Sequence, residues 1–356
     1  MNHTRLLPLL TCAALIARAP AQEEPAKAAE PATISQKLEW PRDQDRTVCR
    51  VSGTDYSLLQ LLEHIQERHE PRMLALMELP TGSAYLQHPR MASWVRQFAD
   101  VMALESEARS RGLTYEDVEE TLGTALKKGF ELHLEGYVER RARSGSPVEL
   151  TQERINLLLA DYQRDFGLEC EVRGWLDALV PAVSVEETQR LREFYDAHPQ
   201  WFGGVVTVSQ ILVEHRDPRT LELLTGDARR AAYAKLADIE ARIAPDGSNF
   251  EEVARLLSDD ERTARNGGQM AGIERFDNRL PAVLCRTAWQ LRDGQVSTRI
   301  ESAFGIHILK RISYRHRYYI VFTDAIRGEV ADTMRRSEQE DLLFGARERN
   351  GVRVLY

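Results

Sequence analysis

The stretch from Val206 to Arg311 constrains this chain more than any other. It opens within a β-branched run, Val205–Val213, whose composition suits a strand. Asp227–Ile243 and then Phe250–Leu257 carry helical periodicity, and the second ends at Ser258-Asp259-Asp260. Gly267-Gly268 marks a turn, Gln269–Ile273 reads as another strand, and Pro281–Trp289 as a helix with proline in its first turn. Val296–Glu301 and Gly305–Ser313 read as a hairpin around Ser302-Ala303-Phe304. Double glycines and paired aspartates are common, so the weight rests on the order and spacing of the whole series. Strands interleaved with helices but closed by a hairpin predict an α+β fold with a largely antiparallel sheet.

The flanks are mainly helical. Leu58, Leu61, Leu62 and Ile65 mark one apolar stripe, and Met91, Trp94, Val95, Phe98, Val101 and Met102 another. Thr114-x-x-Asp117 has the form of a capping box opening a helix with Val118, Leu122, Leu126 and Phe130 on one side. Ile155, Leu158, Leu159 and Tyr162 make the next stripe, and Ser184-x-x-Glu187 is expected to open a helix that stops before Pro199. Beyond the central series, Phe322–Arg349 reads as one charged amphipathic helix and Val352–Tyr356 as an alternating strand. That strand is too short to stand alone, and is expected to pair with the short strand at Thr47–Val51 before the Ser52-Gly53 turn.

Composition bounds the class of partner. At 356 residues, 43% hydrophobic and 29% charged, the chain has material for two domains and a sizeable core. Its net charge is −8, and loss of a leader holding Arg5 and Arg18 but no acid takes this to −10. Such acidity, without a basic stripe, argues against nucleic acid as a partner. Arg5, the apolar run Leu6–Ala17 and the triplet Ala19-Pro20-Ala21 read as a secretory leader cleaved after Ala21. Arg18 cuts the run short of the roughly 20 apolar residues an anchor needs, and Cys12 lies inside the run, not after it. The expectation is an exported, periplasmic or otherwise extracytoplasmic protein without stable membrane insertion. Cys49, Cys170 and Cys285 are widely spaced and odd in number, so one disulfide or none is open. Cys285 is expected to pack as a small apolar residue.

The central series resembles the parvulin, or PpiC-type rotamase, domain of peptidyl-prolyl cis-trans isomerases. The flanks are similar, more weakly, to chaperone-isomerases of the SurA and PrsA type, through Val183–Glu187 and Phe194-Tyr195-Asp196-x-His198-Pro199. The resemblance implies a parvulin-like domain with surrounding helices, inserted into a mainly helical N-terminal domain that the C-terminal helix and strand complete. Its boundaries would be a leader at 1–21, a linker at 22–46, a helical chaperone-like domain at 47–200, the isomerase domain at 201–316 and a completing segment at 317–356. The clients implied are unfolded or proline-containing polypeptides; a homodimer is left open.

Residue by residue, the resemblance puts His307 on the family's second histidine, Asp260 where parvulins carry Asp or Cys, and Ser302 in place of a hydroxyl residue that holds the network in register. Gln210, in Gln210-Ile211-Leu212-Val213, replaces the family's first histidine; it can donate and accept hydrogen bonds but cannot titrate. The apolar seat for the proline ring departs further. Arg279 stands at a Met position, its stem expected along the apolar wall, and Val283 or Leu284 stands near a Phe, with Leu280, Trp289 and Phe304 rebuilding the wall. The chemistry asked of such a site is modest. Rotating a prolyl bond breaks amide resonance against a barrier of about 18–20 kcal/mol, so an apolar seat, low dielectric and oriented hydrogen bonds suffice without a covalent step.

Other signals are bland. Asp259-Asp260-Glu261 lacks His or Cys at ligand spacing and reads as a solvated loop, and Glu214-His215-Arg216-Asp217 as a polar loop. Neither His-Glu-x-x-His nor Gly-x-Ser-x-Gly occurs, and no Lys-Ser/Thr follows Gly267-Gly268, so hydrolase and phosphate-loop chemistry lack a signal. No cofactor or metal is expected. Two functions follow: an exported prolyl isomerase, or a holdase that keeps the rotamase fold without useful catalysis.

Overall fold

A β-hairpin starts the described chain. The computed structural model describes residues 45–77, 88–146, 148–217 and 222–356; the expected leader and most of the linker lie outside them. Strands β1 (Thr47–Val51) and β2 (Thr54–Ser57) pair antiparallel. Their turn needs positive φ at both central residues, met by Ser52 at 53° and Gly53 at 79°. Helix α1 (Leu58–Arg68) opens on a capping box between Ser57 and Gln60 and buries the expected stripe Leu58, Leu61, Leu62 and Ile65. Short α2 (Met73–Met77) follows, then α3 (Met91–Ser110), which buries Trp94, Val95, Phe98 and Val101.

Helices α4 (Tyr115–Arg143) and α5 (Gln152–Leu179) run antiparallel. Leu122 meets Gly174, Gly129 meets Tyr162 and Cys170, and Arg154 donates to the Tyr137 hydroxyl at 3.0 Å. The expected Thr114–Asp117 capping box is present at the start of α4. Gly174 is a close-approach residue: a Cβ there would overlap Leu122. Helix α6 (Thr188–Ala197) begins later than expected, because Ser184 and Glu187 bond to each other's backbone neighbourhood in a turn and leave the N-cap to Glu187.

A four-stranded antiparallel sheet then forms in the order β4-β3-β6-β5, from β3 (Gly204–Val213), β4 (Gln269–Ile273), β5 (Ile300–Glu301) and β6 (Ile306–His316). Helices α7 (Gly226–Arg242), α8 (Phe250–Leu257), α9 (Glu261–Ala264) and α10 (Ala282–Gln290) surround it. The two faces of β3 divide the core as strand alternation requires. Ile211 and Val213, with Ile306 and Ile308 of β6, pack on Leu236, Ile239, Phe250 and Val253 of α7 and α8. Val206, Val208 and Leu309 pack on Leu284, Cys285, Ala288 and Trp289 of α10. The expected hairpin arm from Val296 is mostly irregular, joined to β6 by an isolated bridge to Lys310 before β5 proper.

The chain then returns. After a 3₁₀ turn at Asp324–Ile326, α11 (Arg327–Arg349) packs Val330, Ala331 and Met334 against Leu191 of α6 and Phe202. Arg347 grips Asp100 of α3 through two bonds of 2.6 and 2.7 Å, a bidentate pair. The final strand, β7 (Arg353–Val354), pairs with β1 through Cys49↔Val354 and Arg50↔Arg353, giving a second sheet in the order β2-β1-β7. It is shorter than the expected Val352–Tyr356, but the pairing partner is the expected one. The last residue, Tyr356, is buried, and its carbonyl accepts from Arg216 Nη1 at 2.7 Å. Cys49, Cys170 and Cys285 are free and buried; burial pushes the Cys285 thiol up to about 11, so it packs as an apolar residue. Among the described residues no helix is long and apolar enough to cross a membrane.

Removing residues 351–356 takes away the β7 pairing, the Leu355 to Val48 backbone bond and the buried Tyr356 ring. Loss of the ring alone is worth about 2 kcal/mol or more. The truncated chain should therefore show a lower urea midpoint; an unchanged midpoint would mean that the C-terminal strand adds nothing.

Candidate active site

Four polar side chains meet on the α10 face of the sheet, and each arrives by a different local rule. Gln210 lies on β3 opposite Leu309, and His307 lies on β6 opposite Leu212, so strand register alone puts both on one face. Asp260 is the N-cap of α9, where its Oδ1 accepts from the Arg262 amide at 3.2 Å. Ser302 sits in the turn between β5 and β6, its amide bonded to the Gly305 carbonyl at 2.9 Å.

The contacts form a line. The Phe304 amide donates to Ser302 Oγ at 3.0 Å, and Ser302 Oγ lies 2.7 Å from His307 Nε2. His307 Nδ1 lies 3.3 Å from Gln210 Oε1, and Gln210 Nε2 donates to Asp260 Oδ2 at 2.5 Å. Asp260 Oδ2 also accepts from Thr263 Oγ1 at 2.7 Å. Proton counting fixes the directions. The Gln210 amide spends its NH₂ on the carboxylate, leaving Oε1 as a pure acceptor, so His307 Nδ1 carries a hydrogen. The Ser302 hydroxyl already accepts from Phe304, and donates its hydrogen to the bare Nε2. The result is a neutral imidazole in a one-way chain ending on a carboxylate. Its electrostatics agree: burial pushes the His307 pKa down to about 4, with Asp260 only partly opposing.

Gly267-Gly268 builds the platform beneath Gln210. Both glycines have positive φ, 66° and 77°, and the Gln210 amide donates to the Gly268 carbonyl at 2.9 Å. A Cβ on Gly268 would overlap the Gln210 carbonyl oxygen, so the turn packs directly on the strand backbone.

The expected apolar wall is found in part. Leu284 and Trp289 are buried in the α10 cluster, with Leu280 and Val283 half-buried against it, so the first two are floor and the second two accessible lining. Phe304 stands out beside Ser302, 53% exposed. Arg279 does not line the wall. Its guanidinium is drawn away by three bonds to Asp277, one of 2.9 Å from Nε, and by the Gly272 carbonyl at 3.1 Å. Those bonds hold the Asp277 carboxyl below the usual carboxylate range. A carboxylate two residues away outcompetes the apolar surface for this side chain.

The acidic segment expected to be a solvated loop and the polar loop after β3 are both tied to the fold. Asp259 accepts from the Glu214 amide at 2.9 Å and from Lys235 Nζ at 2.5 Å, tying the acidic segment to β3 and α7. His215 and Arg216 are 1% and 2% exposed. They reach Glu301, next to Ser302, at 3.3 and 3.4 Å. The C-terminal residue therefore touches, through Arg216, the strand that carries the site's rim. Thr263 is the polar member that sequence reasoning missed; its position three residues after an N-cap aspartate was the available signal.

Comparison with known proteins gives the family of the domain that holds this sheet. The Rotamase family, described as the PPIC-type PPIASE domain, matches residues 211–313. The peptidyl-prolyl cis-trans isomerase Pin1 of Arabidopsis thaliana is 31% identical over 115 residues, which cover 30% of this chain and 93% of Pin1. The chain belongs to the PPIC-type peptidyl-prolyl isomerase family. The foldase protein PrsA of Clostridium acetobutylicum is 22% identical over 263 residues, 65% of this chain and 73% of that protein. The chaperone SurA of Sodalis glossinidius is 31% identical over 112 residues, but the match spans only 24% of that protein. The crystal structure of foldase protein PrsA from Streptococcus pneumoniae is aligned over 85% of this chain at 14% identity, with a TM-score of 0.31. Within this PPIC-type domain the polar line and the α10 wall lie on one face of the sheet.

Two outcomes follow for the PPIC-type domain. Gly268→Ala forces a side chain into positive φ and into the Gln210 carbonyl, and should cost about 2 kcal/mol or more in chemical denaturation. The depressed His307 pKa also makes stability pH-dependent. The unfolded state binds the proton near 6.5 and the folded state only near 4, so the contribution is intact above pH 6.5 and is lost as pH falls towards 4. The loss approaches roughly 3 kcal/mol. Denaturation from pH 7 to pH 4 in the parent and in His307→Gln should show this component only in the parent; equal slopes would contradict a buried neutral imidazole.

Proposed function

We propose that the chain is a peptidyl-prolyl cis-trans isomerase that acts, after export, on unfolded or proline-containing polypeptides, with its helical part serving as a chaperone-type framework. The observation that carries this reading is the one-way hydrogen-bonded line from Ser302 through His307 and Gln210 to Asp260, set against the apolar lining of α10. A prolyl ring seated on Leu280 and Val283, with Phe304 beside it, is partly stripped of water. A twisted amide is less polar at its carbonyl than a planar one, so an apolar, rigid seat favours it over the ground state. The imidazole does no proton transfer in this scheme. It fixes the orientation of Gln210 and Ser302 and adds no charge of its own to the line. The export reading rests on Arg5, the apolar run to Ala17 and Ala19-Pro20-Ala21. The division we propose keeps residues 47–200 and 317–356 together as the framework and 201–316 as the isomerase domain.

A second reading has its own observation. Gln210 occupies the position of a family histidine, and Tyr318, Tyr319 and Val321, just after β6, are 58%, 82% and 73% exposed. An apolar strip of this kind suits client holding, and a holdase needs no prolyl turnover.

One experiment separates the two: prolyl exchange on a set of X-Pro peptides beside suppression of client aggregation. On the isomerase reading the parent accelerates exchange, His307→Ala lowers the rate about 10-fold by leaving Gln210 and Ser302 unsatisfied, and Gln210→His raises it. Arg279→Met should change the rate less than about 2-fold, because Arg279 is held outside the seat by Asp277. If neither the parent nor Gln210→His accelerates exchange while both suppress aggregation, the protein is a holdase.

A further inference from the structure

Far from the prolyl site in sequence, two histidines of the helical part converge on one buried carboxylate. His64 lies in the last turns of α1, and His69 is the C-cap residue of that helix, its amide still bonded to the Ile65 carbonyl at 2.8 Å. The break in helical geometry at His69 turns its ring to the side that His64 faces. Both present the same atom, Nε2, to the same oxygen, Oε2 of Glu171 on α5, each at 2.9 Å. The side chains are 10%, 9% and 2% exposed for His64, His69 and Glu171. The three donor atoms lie within 4.8 Å of one another.

The surroundings orient the carboxylate and leave it charged. Its other oxygen, Oε1, accepts from Arg68 Nη1, and the same Arg68 nitrogen donates to Glu105 at 2.8 Å. One cation therefore serves two carboxylates. The two Nε2 atoms and Oε2 thus make a buried triangle of ligand atoms, held in place by Arg68 on the far oxygen. The neighbouring turn of α5 is shaped for the same purpose. Gly167, four residues before Glu171, is where a Cβ would overlap His69, so glycine is what lets the ring approach. Phe98 closes one side, its ring centroid 5.2 Å from that of His64.

We propose that His64, His69 and Glu171 form a binding site for a divalent transition-metal ion of the zinc class, which ties the C-terminal end of α1 to α5. Two imidazoles and a carboxylate are the donor set for such an ion, at about 2.0–2.2 Å from each, with a water or hydroxide on the fourth vertex. Ligand atoms around a tetrahedral ion at that radius sit about 3.3 Å apart. The Nε2 to Oε2 spacings of 2.9 Å therefore open by a few tenths of an ångström, while the two Nε2 atoms, now within 4.8 Å of each other, draw towards the same separation. Binding moves the hydrogens of both rings to Nδ1, leaving Nε2 free to ligate. Arg68 stays on Oε1 and fixes the carboxylate as an outer partner. This site is independent of prolyl turnover and stands or falls separately from it.

The test uses the full mature chain without an affinity tag, stripped with a chelator and titrated with zinc alone. Calorimetry should give one equivalent of zinc per chain, and the melting temperature should rise with zinc concentration. Cobalt(II) in place of zinc should give the visible absorption of a four-coordinate site with nitrogen and oxygen donors. His64→Gln and Glu171→Gln should each lower zinc affinity at least 10-fold and abolish the thermal shift. Should a variant fail to fold, the parent's stoichiometry and cobalt spectrum still decide. A folded parent that binds no zinc, or zinc binding that survives intact in folded His64→Gln, would overturn the proposal.

Discussion

Everything in the mixed part of the molecule hangs on the pairing of β3 with β6. All ten residues of β3, Gly204 to Val213, are registered against β6. That one ladder fixes which side chains face α10 and which face α7 and α8, because a slip of one residue would exchange the two faces. It sets Gln210 and His307 on the same face without any direct attraction between them having to do so. It also buries them, at 4% and 3% exposure, between two apolar clusters. Burial is what makes the polar line consequential: each unmade hydrogen bond there would cost about 1–3 kcal/mol, so the network has one arrangement rather than several.

The amide of Gln210 acquires a physical meaning in this setting. An amide has a donor end and an acceptor end, and Asp260 chooses which end is which by demanding the donor. The choice passes to His307, whose Nδ1 then carries the hydrogen, and on to Ser302. The glutamine thus transmits direction along the line but cannot change charge. The line accordingly presents a fixed field, as the proposed prolyl rotation, which needs no proton transfer, would use, and Gly267-Gly268 holds the strand beneath it by backbone packing.

The sequence was most legible where local chemistry decides structure. The β-branched run of β3, the double glycine, the Ser52-Gly53 hairpin turn and the Thr114–Asp117 cap each have a short-range cause, and each appears where expected. The alternating tail was also legible as a strand needing a partner, found in β1. What stayed hidden depends on distant residues. Arg279 was expected along the apolar wall, but Asp277 takes its guanidinium. His215 and Arg216 look like surface residues until Glu301 and the Tyr356 carbonyl, from other strands and the chain end, surround them. His64, His69 and Glu171 carry no spacing signal, since α1 and α5 meet only through tertiary packing.

The helical part and the chain end are coupled to the same sheet. Arg347 on Asp100 anchors α11 to α3, β7 closes on β1, and Arg216 joins the last residue to the rim of β5. The direction of the hydrogen-bonded line orders the site, and one measurement reads it directly. Nitrogen-15 spectra of the His307 imidazole in the intact chain report which ring nitrogen bears hydrogen. The account predicts a single neutral tautomer with hydrogen on Nδ1, unchanged from pH 8 to about pH 5, well above a pKa of about 4. Hydrogen on Nε2, or titration near pH 6.5 as for an exposed imidazole, would contradict it.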